Sequence, residues 1–144
     1  MPVVKVRGRE VHYQELGLGV ARGAESSAAG GMKSDPTAGT VVMVHGMLGN
    51  LAVYYFQIAP LLAEYFHVVL YDLKSHGMSE RSEAGYDLDS MSDDLVGLMD
   101  VLGLRKVHLA GYSFGALIAL KAAAKFAGRI DKLAIIEGPD PSDE

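Results

Sequence analysis

GYSFGA, Gly111 to Ala116, is the stretch on which the reading of this sequence turns. It follows the apolar run KVHLA, residues 106–110, and leads into LIAL, residues 117–120. A buried-type run, then Gly-x-Ser-x-Gly, then a small-residue helical run describes a serine on a sharp strand-to-helix turn. Side chains two positions before or after that serine would collide with the neighbouring strand and helix, so Gly111 and Gly115 suit the turn. Ala116, Ala119, Ala122 and Ala123 keep the helix thin where it must approach the sheet. The free N–H groups of the helix N-terminus then favour negative charge developing beside Ser113. A serine hydroxyl is a poor nucleophile until a base takes its proton, so a nucleophilic Ser113 requires a base.

Two further stretches stand in the same relation to a strand. The run TVVMVH, residues 40–45, reads as a strand buried on both faces, and it opens into His45-Gly46-Met47-Leu48-Gly49-Asn50. The run VVLY, residues 68–71, opens into DLKSHGMS, residues 72–79. In an open α/β sheet, ligands bind outside the carboxyl ends of the strands. All three polar, glycine-bearing turns therefore fall on one edge of one sheet.

The rest of the chain supplies the sheet's frame. Residues 3–7 and 9–15 alternate around Gly8 and read as a hairpin, with Val11, Tyr13 and Glu15 on one face and His12 and Gln14 on the other. Residues 18–39 are rich in Gly, Ala and Ser without periodicity, which predicts a mobile loop insert. Residues 52–65 have helical spacing at Tyr55, Ile58, Leu62 and Tyr65, with Pro60 starting or kinking the helix. Met91, Leu95, Leu98 and Leu102 stripe a second helix, capped by Ser90 with Asp93 three residues on, and ended by Gly103. A third helix runs from Phe114 until Gly128 stops it, and residues 133–136 form a last strand. Strands alternating with helices predict parallel strands with right-handed crossovers, an α/β fold.

Composition narrows the classes. The 144 residues are 49% hydrophobic and 22% charged, as in one globular domain. A net charge of −5 without a basic run gives no footprint for nucleic acid or an anionic membrane. With no cysteine, disulfides, thiolate metal sites and cysteine nucleophiles are excluded. No apolar leader and no membrane-length run is present, so a soluble, cytoplasmic protein is expected.

Taken together, the hairpin, the strand ending in HG, the strand ending in D-x-x-x-H-G-x-S and the strand ending in GxSxG resemble the N-terminal half of the α/β-hydrolase superfamily. The resemblance covers the chain apart from residues 18–39. It implies a three-layer sandwich around a mostly parallel sheet, truncated after the strand that follows the nucleophile helix. It implies Ser113 as nucleophile, with the backbone N–H groups of Met47 and Phe114 as oxyanion donors. His45, Gly46, Leu48, Tyr112 and His76 would line the substrate site, with His45 ordering the oxyanion loop and His76-Gly77 shaping the floor. Lys74 and Ser75 depart from the pattern, where many members carry Arg and Gly. Dehalogenases and epoxide hydrolases of the superfamily use aspartate as nucleophile and are disfavoured by Ser113.

The resemblance also locates what is missing. The family order is serine, acid, histidine, and the segments that carry the last two lie beyond residue 136. His12 belongs to the hairpin, His67 to the wrong edge and His108 to the inside of a strand, while His45 and His76 have other family roles. Glu137, Asp140 and Asp143 follow the last strand and read as a solvated connector. The expectation is therefore a serine hydrolase of carboxylic esters or thioesters whose acid and histidine sit on a missing segment or a second chain carrying the C-terminal half. An inactive fragment serving as a scaffold, and an acyltransferase of the same fold, are the alternatives. No cofactor or metal is called for.

Overall fold

A computed structural model describes residues 2–17 and 39–138. The expected loop insert over residues 18–39, all but Gly39, lies outside the described residues, as do Asp140 and Asp143. Two short antiparallel strands, β1 (Val3–Val6) and β2 (Arg9–Leu16), form the hairpin, turning through Arg7 and Gly8, both at positive φ. Then come β3 (Thr40–Val44), α1 (Ala52–Tyr55), α2 (Ile58–Leu62) and β4 (His67–Tyr71). The chain continues through α3 (Leu88–Val101), β5 (Val107–Tyr112), α4 (Phe114–Lys125), a 3-10 turn (Ala127–Arg129) and β6 (Ile130–Ile136).

The six strands lie in the order β1-β2-β4-β3-β5-β6. β2 pairs antiparallel with β4, and β4, β3, β5 and β6 are mutually parallel. The innermost strands are apolar throughout because each has a layer on both faces. Alternate residues sort between those layers. Val42, Val44, Val69, Tyr71 and Leu109 join Met91, Leu95, Leu98, Met99 and Ile118 on the α3–α4 side. Val41, Met43, Val68, Leu70 and Ala110 join Leu51, Tyr54 and Ala59 on the α1–α2 side. This is the three-layer arrangement the alternation of strands and helices implies.

Four local expectations need correction. The single helix over residues 52–65 is two helices. In one continuous helix the ring of Pro60 would clash with the Phe56 carbonyl and donate nothing to it, and the chain breaks at Gln57 (φ −123°, ψ −57°). Restarting at Ile58 puts Pro60 in a first turn, where no N–H is missed. The cap of α3 is Asp87, not Ser90: its carboxylate accepts the Ser90 N–H at 3.0 Å. The helix α4 ends at Lys125, ahead of Gly128, and gives way to the 3-10 turn. β6 begins at Ile130, three residues early, because buried Ile130 pairs with Val107 across the polar Asp131 and Lys132.

Candidate active site

Ser113 stands between β5 and α4 with φ 54° and ψ −119°. That conformation costs a non-glycine residue roughly 1–3 kcal/mol and persists only where the surroundings impose it. Here they do. The Ser113 N–H donates to the carbonyl of Ile136 at the end of β6 (3.1 Å), and its carbonyl accepts the Ala116 N–H (2.9 Å). A Cβ on Gly115 would overlap the Val44 carbonyl and come within 2.5 Å of that of His45. One on Gly111 would lie 2.7 Å from the Ala116 Cα. The helix can start this close to β3 and β5 only because both positions lack side chains.

The turn after β3 meets the serine directly. A Cβ on Gly46 would lie 3.2 Å from the Ser113 Cβ and 3.3 Å from the Tyr112 ring. The backbone N–H of Met47 donates to no described residue. That of Phe114, first in α4, has no intrahelical acceptor by its position. Met47 and Leu48 are exposed, Leu48 almost completely at 94%, and Tyr112 is at the edge of exposure.

Leu48 sits at φ 64°, an uncommon place for a branched side chain. His76 holds it there: Nε2 accepts the Leu48 N–H at 3.1 Å, so Nδ1 carries the proton and donates to the Lys74 carbonyl at 2.9 Å. His45 is fully buried and uses both nitrogens in the same way. Its Nε2 accepts the Leu73 N–H (3.0 Å) and its Nδ1–H donates to the Gly46 carbonyl (2.7 Å). Burial pushes the His45 imidazole below its ordinary pKa, so it stays neutral. The two rings lie 5.3 Å apart, beneath the turn after β3.

None of the five histidines hydrogen-bonds Ser113. His67 lies between Glu15 and Thr40, and His108 packs edge-on against Phe66 with Asp131 3.8 Å away. His12 is buried against Asp72, its Nδ1–H donating to Oδ2 at 2.7 Å. Glu137 follows β6 at φ 48° and is exposed.

The carboxylate of Asp72, first residue of the D-x-x-x-H-G-x-S stretch, is buried and joins the site's two turns. Besides His12 it accepts the N–H groups of Leu51 (2.8 Å) and Met78 (2.9 Å). An acidic residue at a strand's carboxyl end, just before a glycine turn, is the signal that pointed to it. Among the described residues no group of His, Asp or Glu could hold a metal ion, and no helix is long and apolar enough to cross a membrane. A cavity of about 960 Å³ lies at the opposite end of the sheet, lined by Thr40, Leu104, Arg105, Lys106 and Arg129, and does not include Ser113.

Residues 39–144 match the family model described as the alpha/beta hydrolase fold. RutD of Caulobacter sp. (strain K31), named as a carbamate hydrolase, is 35% identical over 127 residues, which are 85% of this chain and 46% of that protein. The AB hydrolase superfamily protein YisY of Bacillus subtilis (strain 168) is 32% identical over 71% of this chain and 38% of its own length. The crystal structure of the enol-lactonase from Burkholderia xenovorans LB400 superposes with a TM-score of 0.76 at 28% identity, covering 92% of this chain and 45% of that one. The chain thus spans less than half the length of each of these relatives. With the sheet order, the serine at the turn into α4 and this match in agreement, the chain belongs to the α/β-hydrolase fold family.

Proposed function

We propose that this chain is the nucleophile-bearing part of a serine hydrolase that cleaves a carboxylic ester or thioester through an acyl-serine intermediate. The observation that carries the reading is Ser113 itself, held at a positive φ between β5 and α4 with the Gly46 turn against it. Ser113 Oγ loses its proton to a base and attacks the acyl carbon. The carbonyl oxygen becomes an oxyanion facing the N–H groups of Phe114 and Met47, each such donor contributing about 3 kcal/mol or more to the transition state. Collapse expels the alcohol or thiol, which takes up the proton, and water then releases the acid from Ser113 by the same steps. Carbamates and enol-lactones, for whose hydrolysis two similar proteins are named, also present an attackable carbonyl carbon.

His45 and His76 are positioned to order the turn and not to take the proton, since both nitrogens of each ring are engaged. Gly46, Leu48 and Tyr112 line the approach, where the exposed Met47 and Leu48 side chains favour an apolar acyl group. The base and its acid come from polypeptide outside these residues, on the same chain or on a second one. The lack of any histidine at Ser113 favours a second reading for the 144 residues in isolation, that of a catalytically silent piece.

The test is labelling with a fluorophosphonate probe in the complete protein. Native protein should gain one adduct, mapped by mass spectrometry to Ser113, and Ser113→Ala should gain none. An adduct at another serine, or undiminished ester turnover by Ser113→Ala, would overturn the assignment.

A further inference from the structure

Beyond Ser113, a second constellation lies on the far side of β4, and resting on the serine-hydrolase reading we propose that Asp72 and His12 are positioning residues for the oxyanion turn. Met47 is held only through its neighbours, so the direction of its N–H depends on what fastens residues 45–51 to the rest of the molecule. Three hydrogen bonds that run both ways between the turns after β3 and β4 do this, and a fourth closes the turn after β4 on itself. Leu73 N–H reaches His45 and Leu48 N–H reaches His76. Leu51 N–H and Met78 N–H both reach the Asp72 carboxylate. Like His45 and His76, Asp72 grips both turns, but it alone of the three also bonds a side chain of β2, and it is 2% exposed.

A carboxylate can serve two turns at once only if its plane is fixed. His12 fixes it from β2, on the opposite side of β4 from β3. His12 is itself immobilised: Ser79 Oγ accepts its backbone N–H at 3.0 Å while donating to the Asp72 carbonyl at 2.7 Å. The Gln14 amide nitrogen lies 3.4 Å from its Nε2, leaving Nδ1 to carry the proton toward Asp72. The arrangement is an orienting one. Neither residue touches the substrate, and each acts through the turn. Displacing a catalytic donor by about 1 Å can cost on the order of 100-fold in rate.

The experiment compares His12→Leu, His12→Asn and Asp72→Asn in the complete enzyme, against native protein and Ser113→Ala, with a nitrophenyl ester and the fluorophosphonate probe. His12→Leu removes the donor to Asp72. His12→Asn restores it, since the asparagine amide nitrogen falls near the place of Nδ1. Asp72→Asn turns one acceptor into a donor that opposes a backbone N–H. His12→Leu and Asp72→Asn should lower kcat roughly 10- to 100-fold with KM changed by no more than about twofold, the mark of an interaction made in the transition state. His12→Asn should recover most of the kcat lost in His12→Leu.

Native kcat in folded His12→Leu, a change confined to KM, or no recovery in His12→Asn would each overturn the proposal. If Asp72→Asn fails to fold, the His12 pair still decides. Failure of the serine reading is recognised separately, by turnover in Ser113→Ala.

Discussion

His45 has two duties that pull on its chemistry in one direction. It must be neutral to accept from Leu73 while donating to Gly46, and its burial depresses its pKa from the ordinary 6.5. The unfolded chain takes up a proton there as pH falls through about 6.5, and the folded chain does not. The stability this contributes is therefore complete above about pH 6.5 and declines below it, by at most about 1.4 kcal/mol per pH unit. Urea unfolding at stepped pH should show that decline, and His45→Gln should flatten it while lowering stability at neutral pH. A native slope unchanged by His45→Gln would mean that other groups govern it. At this scale the sequence was legible wherever a motif is contiguous: Ser113, Gly46 and His76 fall at the carboxyl ends of their strands. It was silent about the contact between His12 and Asp72, which lie 60 positions apart and meet only because β2 pairs with β4. No periodicity encodes such a contact.

Elements add a constraint no single residue carries, the closeness of α4 to β3. Gly115→Val puts a branched side chain onto the backbone carbonyls of Val44 and His45, neither of which can rotate away. The variant should lose about 3 kcal/mol of stability, read from its denaturation midpoint. An unchanged midpoint would mean that the helix can start farther from the sheet. The strands of the core were legible because burial on both faces leaves uninterrupted apolar runs. β6 was read short because its early residues alternate with Asp131 and Lys132, and the break between α1 and α2 was hidden beneath an apolar spacing that spans both. Pro60 was the visible clue, and its clash with Phe56 decided the outcome.

The whole molecule is unevenly covered. β3 and β4 have helices on both faces, whereas among the described residues β6 is an edge strand, with Ile135 46% and Ile136 37% exposed. Beside it an open groove of about 580 Å³ is lined by Leu62, Phe66, His108 and Leu133. Unpaired apolar edges recruit other chains. In isolation the 144 residues should self-associate in sedimentation velocity at micromolar concentration. Ile135→Lys with Ile136→Lys should reduce that association, and a monomer for the unsubstituted chain would contradict it. The exposure of Ile135 and Ile136 follows from which strand lies outermost, a matter of topology that no local sequence pattern encodes.

The bond from the Ser113 N–H to the Ile136 carbonyl has a consequence in time. During synthesis Ser113 leaves the ribosome before its acceptor does, and domains assemble as their segments emerge. A nascent chain stalled ahead of Ile136 carries the serine, both glycines and the start of α4, yet lacks the partner that holds the serine's backbone. The turn at Ser113 is thus shaped late, by the strand made after it, and a chain released early from translation carries that serine without the bond that fixes its backbone.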